Sequence, residues 1–186
     1  MPADKQDIIL VQRCLDGDSR AFNDLMNKYK RQVFSLIVRL VKSPADAEDI
    51  LQDTFIKAYR NLSSYDAQYP LLTWLFKIAH NTSIDFLRAN KGETLTINDE
   101  ENPIDLEDTG SSLEEKMEQL SEKELIERMV DSVPAPYREV LIMRHQQELS
   151  YEEIAEAIQI PMGTVKVRLF RAREILKTKL EAAGYG

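Results

Sequence analysis

Cysteine is almost absent from this chain of 186 residues: Cys14 is the only one, which excludes an internal disulfide and any cysteine-based zinc site. It lies among Ile9, Leu10 and Leu15, a setting for packing rather than for reactivity. Histidine is nearly as scarce. His80 and His145 fall in neither Glu-x-x-His nor His-x-x-x-His spacing, so no metal site is expected. There is no glycine-rich phosphate loop and no nucleophile–base arrangement, so neither an enzyme nor a cofactor-binding protein is expected. Long apolar runs are missing too; none approaches the roughly 18 residues of a membrane span, and membrane insertion is not expected. The first residues, MPADKQDIILVQRC, lack a basic start followed by an apolar block. No secretory signal is therefore expected, and the location expected is cytoplasmic. Gly (6) and Pro (7) are few and fall between apolar-periodic stretches, the pattern of a mostly helical protein.

What is present is a chain 43% hydrophobic and 30% charged, enough for a core and a well-solvated surface. The net charge of −8 is unevenly spread. Residues 1–91 carry 13 Lys/Arg against 11 Asp/Glu, residues 92–124 carry 2 against 12, and residues 125–186 carry 9 against 9. Within the last stretch, Pro161–Leu180 holds six basic residues and one acidic residue, Glu174. The acidity belongs to the middle of the chain, and the far end carries a local basic patch of the kind that meets phosphates.

Helical periodicity divides the chain. Residues 4–15 predict a short helix that stops at Asp16-Gly17-Asp18, after which Ser19 offers an N-cap. Phe22, Leu25, Met26, Tyr29, Val33, Leu36, Ile37 and Leu40 then recur at three/four spacing, as on a core-facing helix. Ser43-Pro44 opens a third helix through Leu62. In it Leu51, Phe55, Ala58, Tyr59 and Leu62 face inward. A fourth helix, Pro70 to Asn90, buries Leu75, Ile78, Ala79, Thr82 and Phe86. These four make a compact domain over 1–91. Residues 92–111 show no helical period and predict a flexible acidic linker. A second helical domain, 112–186, follows, with helices from Leu113 to Val130 and from the Pro134/Pro136 break to Glu148. The expected fold class is all-α: two small helical domains joined by a flexible acidic linker.

The last sixty residues carry the clearest local signal. Ser150 and Glu153 form a capping box for a short helix, Tyr151–Ile158, that buries Ile154, Ala155 and Ile158. A tight turn, Gln159 to Gly163, leads to Thr164, which offers a cap for a longer helix. Val165, Leu169, Ala172, Leu176 and Leu180 make its buried stripe. Helix, short turn and basic helix together predict a helix-turn-helix.

Three faces suggest function. On the last helix, Val167, Phe170, Arg171 and Glu174 lie opposite the buried stripe, flanked by Lys166, Arg173 and Lys177 on one side and Arg168 on the other. Exposed Val and Phe have a partner in a major groove, where thymine methyls take apolar contact, while Arg171 reaches guanine. A basic helix end packing on another protein is the alternative. On the third helix, Asp49, Gln52, Asp53, Ile56 and Arg60 share the outer side, which suits docking of a basic partner helix and equally suits a plain charged surface. In Tyr69–Asn81, aromatic and basic residues interleave, as where single-stranded bases are held by stacking beside cations. Trp74 alone fits a plain core position just as well.

The order of motifs resembles that of bacterial sigma factors. Ala47-Glu48-Asp49-Ile50-Leu51-Gln52-Asp53-Thr54-Phe55 with Ala58-Tyr59 resembles their polymerase-docking helix. Thr73-Trp74-Leu75-Phe76-Lys77-Ile78-Ala79-His80-Asn81, then Asp85 and Arg88, is similar to their promoter-melting segment. Pro136–Leu141, Leu149–Ala155 and Gly163–Glu174 resemble their reader of the −35 element. The absence of other sigma domains places the chain with the extracytoplasmic-function group, which acts in stress responses. The resemblance implies the following roles. Asp49, Gln52, Asp53 and Ile56 contact core RNA polymerase, the first three at a coiled coil of its largest subunit. Trp74, Lys77, Asn81 and Arg88 bind the −10 strand, with Asn81 at a flipped base. Thr164, Lys166, Val167, Arg168, Phe170, Arg171 and Arg173 bind the −35 duplex, with Arg168 and Arg173 on phosphates. The linker threads the RNA exit path, and an anti-sigma factor is an expected partner. Val167 stands where relatives often carry a small polar residue, and His80 has no evident role. A stand-alone helix-turn-helix regulator explains residues 112–186 but not the faces before the linker. A helical protein–protein adaptor explains the faces but not the basic last helix.

Overall fold

The first three helix starts are set by short acidic or hydroxyl side chains that take up orphan backbone N–H groups. In the computed structural model, which describes residues 3–91, 122–182 and 184, Asp4 opens α1 (Lys5–Leu15) by accepting from Gln6 N at 2.9 Å. Asp18 opens α2 (Ser19–Val41), accepting from Arg20 N at 3.0 Å and Ala21 N at 3.3 Å. The expected cap, Ser19, is instead the first helical residue. A carboxylate reaches two N–H groups and adds a negative charge where the helix dipole favours one. Ser43 caps α3 (Pro44–Arg60) as expected. That helix stops short of Leu62, which begins a separate 3-10 turn, Leu62–Ser64. α4 follows over Leu71–Lys91. The described chain resumes with α5 (Glu122–Asp131), α6 (Ala135–His145), α7 (Tyr151–Ile158) and α8 (Met162–Ala182). Among the described residues every regular element is helical.

Two boundaries in the second half differ from expectation. α6 ends at His145 rather than Glu148. There the chain turns through a left-handed Glu148 (φ 57°), so that Leu149 is buried and its N–H bonds Met143 O at 3.0 Å. Thr164 does not cap α8, because the ladder is already running when Val165 N bonds Pro161 O at 3.2 Å. The capping box at α7 forms as the sequence predicts, with Ser150 N to Glu153 Oε2 at 2.7 Å and Glu153 N to Ser150 Oγ at 3.2 Å. α7 ends in a left-handed Gln159 (φ 56°), which redirects the chain into α8 and sets the helix-turn-helix.

α2 is the central strut of the first half. Leu25, Val33, Leu36 and Ile37 are fully buried, and α1, α3 and α4 pack around them. Each such side chain contributes about 1.5–3 kcal/mol by leaving water. α1 is pinned from a polar side as well. Asp7, buried in the fold, accepts from the Tyr29 hydroxyl and from Lys28 Nζ at 2.6 Å. Burial works against the Lys28 ammonium, yet the Asp7 and Asp4 carboxylates hold its pKa above the ordinary lysine value.

The two helical units flanking the expected linker are packed on each other. α4 lies against α7, and α2 lies against α6. One apolar core runs from Leu36 and Phe76 through to Ile142, Ile154 and Val165. A smaller cluster, Val133, Leu141 and Ala172, ties α6 to α8. The linker, and the part of the following helix expected before residue 122, lie outside the described residues.

Candidate functional site

Asp49, Gln52, Asp53 and Ile56 are all exposed on α3, as their spacing predicts. Gln52 and Ile56 border a groove of about 740 Å3 between α2 and α3, floored by Phe22, Met26, Leu51 and Phe55. Asp49 and Asp53 stand outside that lining, on the same helix. Tyr59 departs from expectation: it is 54% exposed rather than inward. Its ring sits edge-on to Phe22 with centroids 4.9 Å apart, so it walls the groove instead of filling the core. An apolar trough beside two carboxylates suits a partner helix that carries both apolar and basic residues.

A second cavity, about 590 Å3, opens on α4 and brings together Trp74, Lys77 and Asn81 with Lys57 from α3. Arg88, expected at the same site, is exposed further along α4 and does not line it. Trp74 is half-buried, tilted against Tyr65 with centroids 5.8 Å apart. Lys57 Nζ donates to Thr82 Oγ1 at 3.1 Å. Thr73, also in the lining, is buried with its Oγ1 unpartnered. Other buried hydroxyls here bond back one turn, Thr82 to Ile78 O and Ser83 to Ala79 O, both at 2.8 Å. The equivalent carbonyl for Thr73, that of Tyr69, accepts from the Tyr65 hydroxyl at 2.8 Å. A buried hydroxyl left without a partner costs about 1–3 kcal/mol.

Two side chains of α4, Lys77 and His80, are engaged by carboxylates from the second half of the chain. Lys77 Nζ lies 2.9 Å from Glu156 Oε1 on α7, and Glu156 itself lines the cavity. His80 Nδ1 is hydrogen-bonded to Glu139 on α6, with both side chains largely buried. Arg39 on α2 pairs with Asp131 on α5 at 2.8 Å. All three pairs join the first half of the chain to the second.

On α8, Val165, Leu169 and Ala172 are buried, whereas Val167 is 58% and Phe170 60% exposed. Lys166, Arg171 and Arg173 are exposed beside them, and Thr164 and Arg168 are half-buried. Among the described residues no carboxylate lies within ion-pair distance of Lys166, Arg168, Arg171 or Arg173. Nearby, burial together with the positive charges of Arg173 and Arg144 holds the His145 imidazole below its ordinary pKa. This end of the molecule presents a net positive surface with an apolar centre.

Sequence reasoning missed Lys57, Thr73, Glu139 and Glu156. Lys57 sits on α3 with no local cue to its reach toward α4. Glu139 and Glu156 have no local cue either, because their partners are distant in sequence.

The comparisons with known proteins agree with this layout. Sigma-70 region 2 matches residues 25–93, and sigma-70 region 4 matches residues 123–176. The ECF RNA polymerase sigma-E factor of Escherichia coli (strain K12) is 36% identical over 181 residues, covering 94% of this chain and 94% of that protein. Two solved structures share the fold at 23% identity. One is CnrH in complex with the cytosolic domain of CnrY (TM-score 0.67, covering 96% of this chain and 99% of that one). The other is the sigma factor RpoE in complex with the anti-sigma factor NepR from Bartonella quintana (TM-score 0.62, 86% and 96%). With both sigma regions in order, and a relative this similar over nearly its whole length, the chain belongs to the extracytoplasmic-function RNA polymerase sigma factors of the sigma-70 family.

Proposed function

We propose that this sigma factor divides its work among the three faces described above and carries no catalytic chemistry of its own. Residues 1–91 serve polymerase docking and the −10 strand, and residues 112–186 serve the −35 duplex. The α3 surface, with Asp49, Gln52, Asp53 and Ile56, docks core RNA polymerase. The α4 cavity holds an unpaired promoter base: Trp74 offers a stacking surface, Thr73 and Asn81 offer hydrogen bonds, and Lys57 and Lys77 offer charge to the backbone. Arg88 contacts the strand beyond the cavity. α8 enters the major groove, where Lys166, Val167, Phe170 and Arg171 read the −35 bases while Arg168 and Arg173 hold the phosphate walls and Thr164 adds a contact to the duplex. The holoenzyme acts in the cytoplasm. An anti-sigma factor is the proposed regulator, in line with the NepR partner of the Bartonella RpoE chain.

The observation that carries this reading is the exposure of Val167 and Phe170 in the middle of an uncompensated cluster of cations. Water is a poor neighbour for both side chains, and a groove floored by thymine methyls is a good one. The test is promoter binding by the purified chain with and without core polymerase. Binding that appears only with core supports the division of labour. Tight binding by a dimer of the chain alone points to a stand-alone regulator instead.

A further inference from the structure

We propose that His145 joins Arg173 as a seat for one phosphate of the −35 duplex, a contact that spans the end of α6 and the flank of α8. The inference rests on the assignment of the α8 flank to a phosphate wall. Leu141 on α6 and Ala172 on α8 share one buried cluster, and α6 packs along α8. His145 lies one turn beyond Leu141 on the same side of α6, and Arg173 directly follows Ala172. Both side chains are exposed where the packed helices meet water. Neither is committed elsewhere. Among the described residues His145 makes no hydrogen bond or ion pair, and no carboxylate lies within ion-pair distance of Arg173. Arg144, by contrast, is held by the fold: its Nη1 donates to Leu149 O at 2.8 Å, and its guanidinium lies over the Tyr151 ring, 5.4 Å from the centroid.

Charge makes the seat an anion site. A histidine in the last turn of a helix ordinarily holds its proton more tightly, because the carbonyl end favours a cation. At His145 the partial burial of the ring, then Arg173 and Arg144, outweigh that and push the imidazole below its ordinary pKa. No carboxylate is among the charges acting on it. A phosphate set against Arg173 reverses the local field, so the imidazole gains a proton from solvent and donates an N–H to a phosphate oxygen. The complex then holds more protons than the free partners. Promoter affinity therefore rises as pH falls through the histidine range, and the gain is lost as pH rises above the histidine pKa of the complex.

The experiment measures equilibrium binding of holoenzyme to a promoter fragment, from about pH 8 to about pH 6, for the wild-type chain, His145→Gln and His145→Arg. Over that range the wild type is expected to gain about fivefold more affinity than His145→Gln, within the roughly tenfold that one unit of pKa shift supplies. His145→Arg, charged throughout, is expected to bind at the high-pH end about as tightly as the wild type does at the low-pH end. At low pH the salt dependence of the wild type is expected to exceed that of His145→Gln by about 0.9 in the log–log slope, the mark of one phosphate. The side chain is exposed, so melting temperatures stay near wild type. A pH profile of His145→Gln parallel to that of the wild type overturns the proposal, and so do equal salt slopes at low pH. Failure of the underlying assignment reads differently: Arg173→Ala would then leave affinity and salt dependence unchanged at either pH. A wrong placement of His145 alone leaves the Arg173→Ala loss intact.

Discussion

Lys77 on α4 and Glu156 on α7 face each other at 2.9 Å across the junction of the two halves, each about one-third exposed. An ion pair so open to water contributes only about 0.2–1 kcal/mol. The apolar contact of α4 with α7 therefore does most of the holding, and the pair adds a polar edge to it.

Polymerase docking is testable by charge reversal on α3. Asp49→Lys with Asp53→Lys is expected to weaken binding to core polymerase by up to about 2 kcal/mol, at about 0.2–1 kcal/mol for each exposed pair. Helicity and melting temperature stay near wild type, since both positions are exposed. Fluorescence titration against core polymerase measures the first and circular dichroism the second. Full affinity in a folded double variant would assign docking to another face.

On α8, base reading and phosphate holding separate by position. Arg171→Ala is expected to cost about 1–3 kcal/mol and to relax preference at one −35 position. Arg173→Ala weakens all promoters about equally and lowers the salt dependence, because one fewer counterion is released. Transcription from a −35 substitution library at two salt concentrations distinguishes them. Uniform loss in both variants would remove this helix face from the groove.

The capping box carries the helix-turn-helix. Ser150→Ala deletes the acceptor for Glu153 N and is expected to destabilise the chain by about 1 kcal/mol. Ser150→Asp, which restores a cap, recovers most of it. Urea denaturation reads both, and an effect near zero for alanine would show that the fold tolerates an open helix end there.

Asp7 anchors α1. Asp7→Ala strands the Tyr29 hydroxyl, and the cost expected is about 1–3 kcal/mol. Hydrogen exchange is expected to rise first in α1. Equal protection of α1 in variant and wild type would contradict the anchoring role.

Much of this was legible from local pattern. The stripe from Leu25 to Leu40 has one period and one neighbourhood, and the structure buries it. Ser150 and Glu153 cap because both partners lie within four residues. Val167 and Phe170 are exposed because Val165 and Leu169 set the opposite side. What escaped was set by distant neighbours. Tyr59 satisfies the inward period of α3, yet α2 ends its coverage at Phe22, leaving the ring at a groove edge. Glu139 and Glu156 acquire meaning only once α6 and α7 meet α2 and α4, far back along the chain. No period within α6 or α7 encodes that meeting.

The central claim is that one chain confers both promoter recognition and strand opening on core polymerase. Its most direct measurement is permanganate reactivity of unpaired thymines on promoter DNA recovered with the holoenzyme. The account predicts reactivity near the −10 element only when chain and core are both present, reduced severalfold by Trp74→Ala and retained on Arg171→Ala once the −35 element is bound at higher concentration. Reactivity unaffected by Trp74→Ala, or binding without opening in the presence of core, would contradict it.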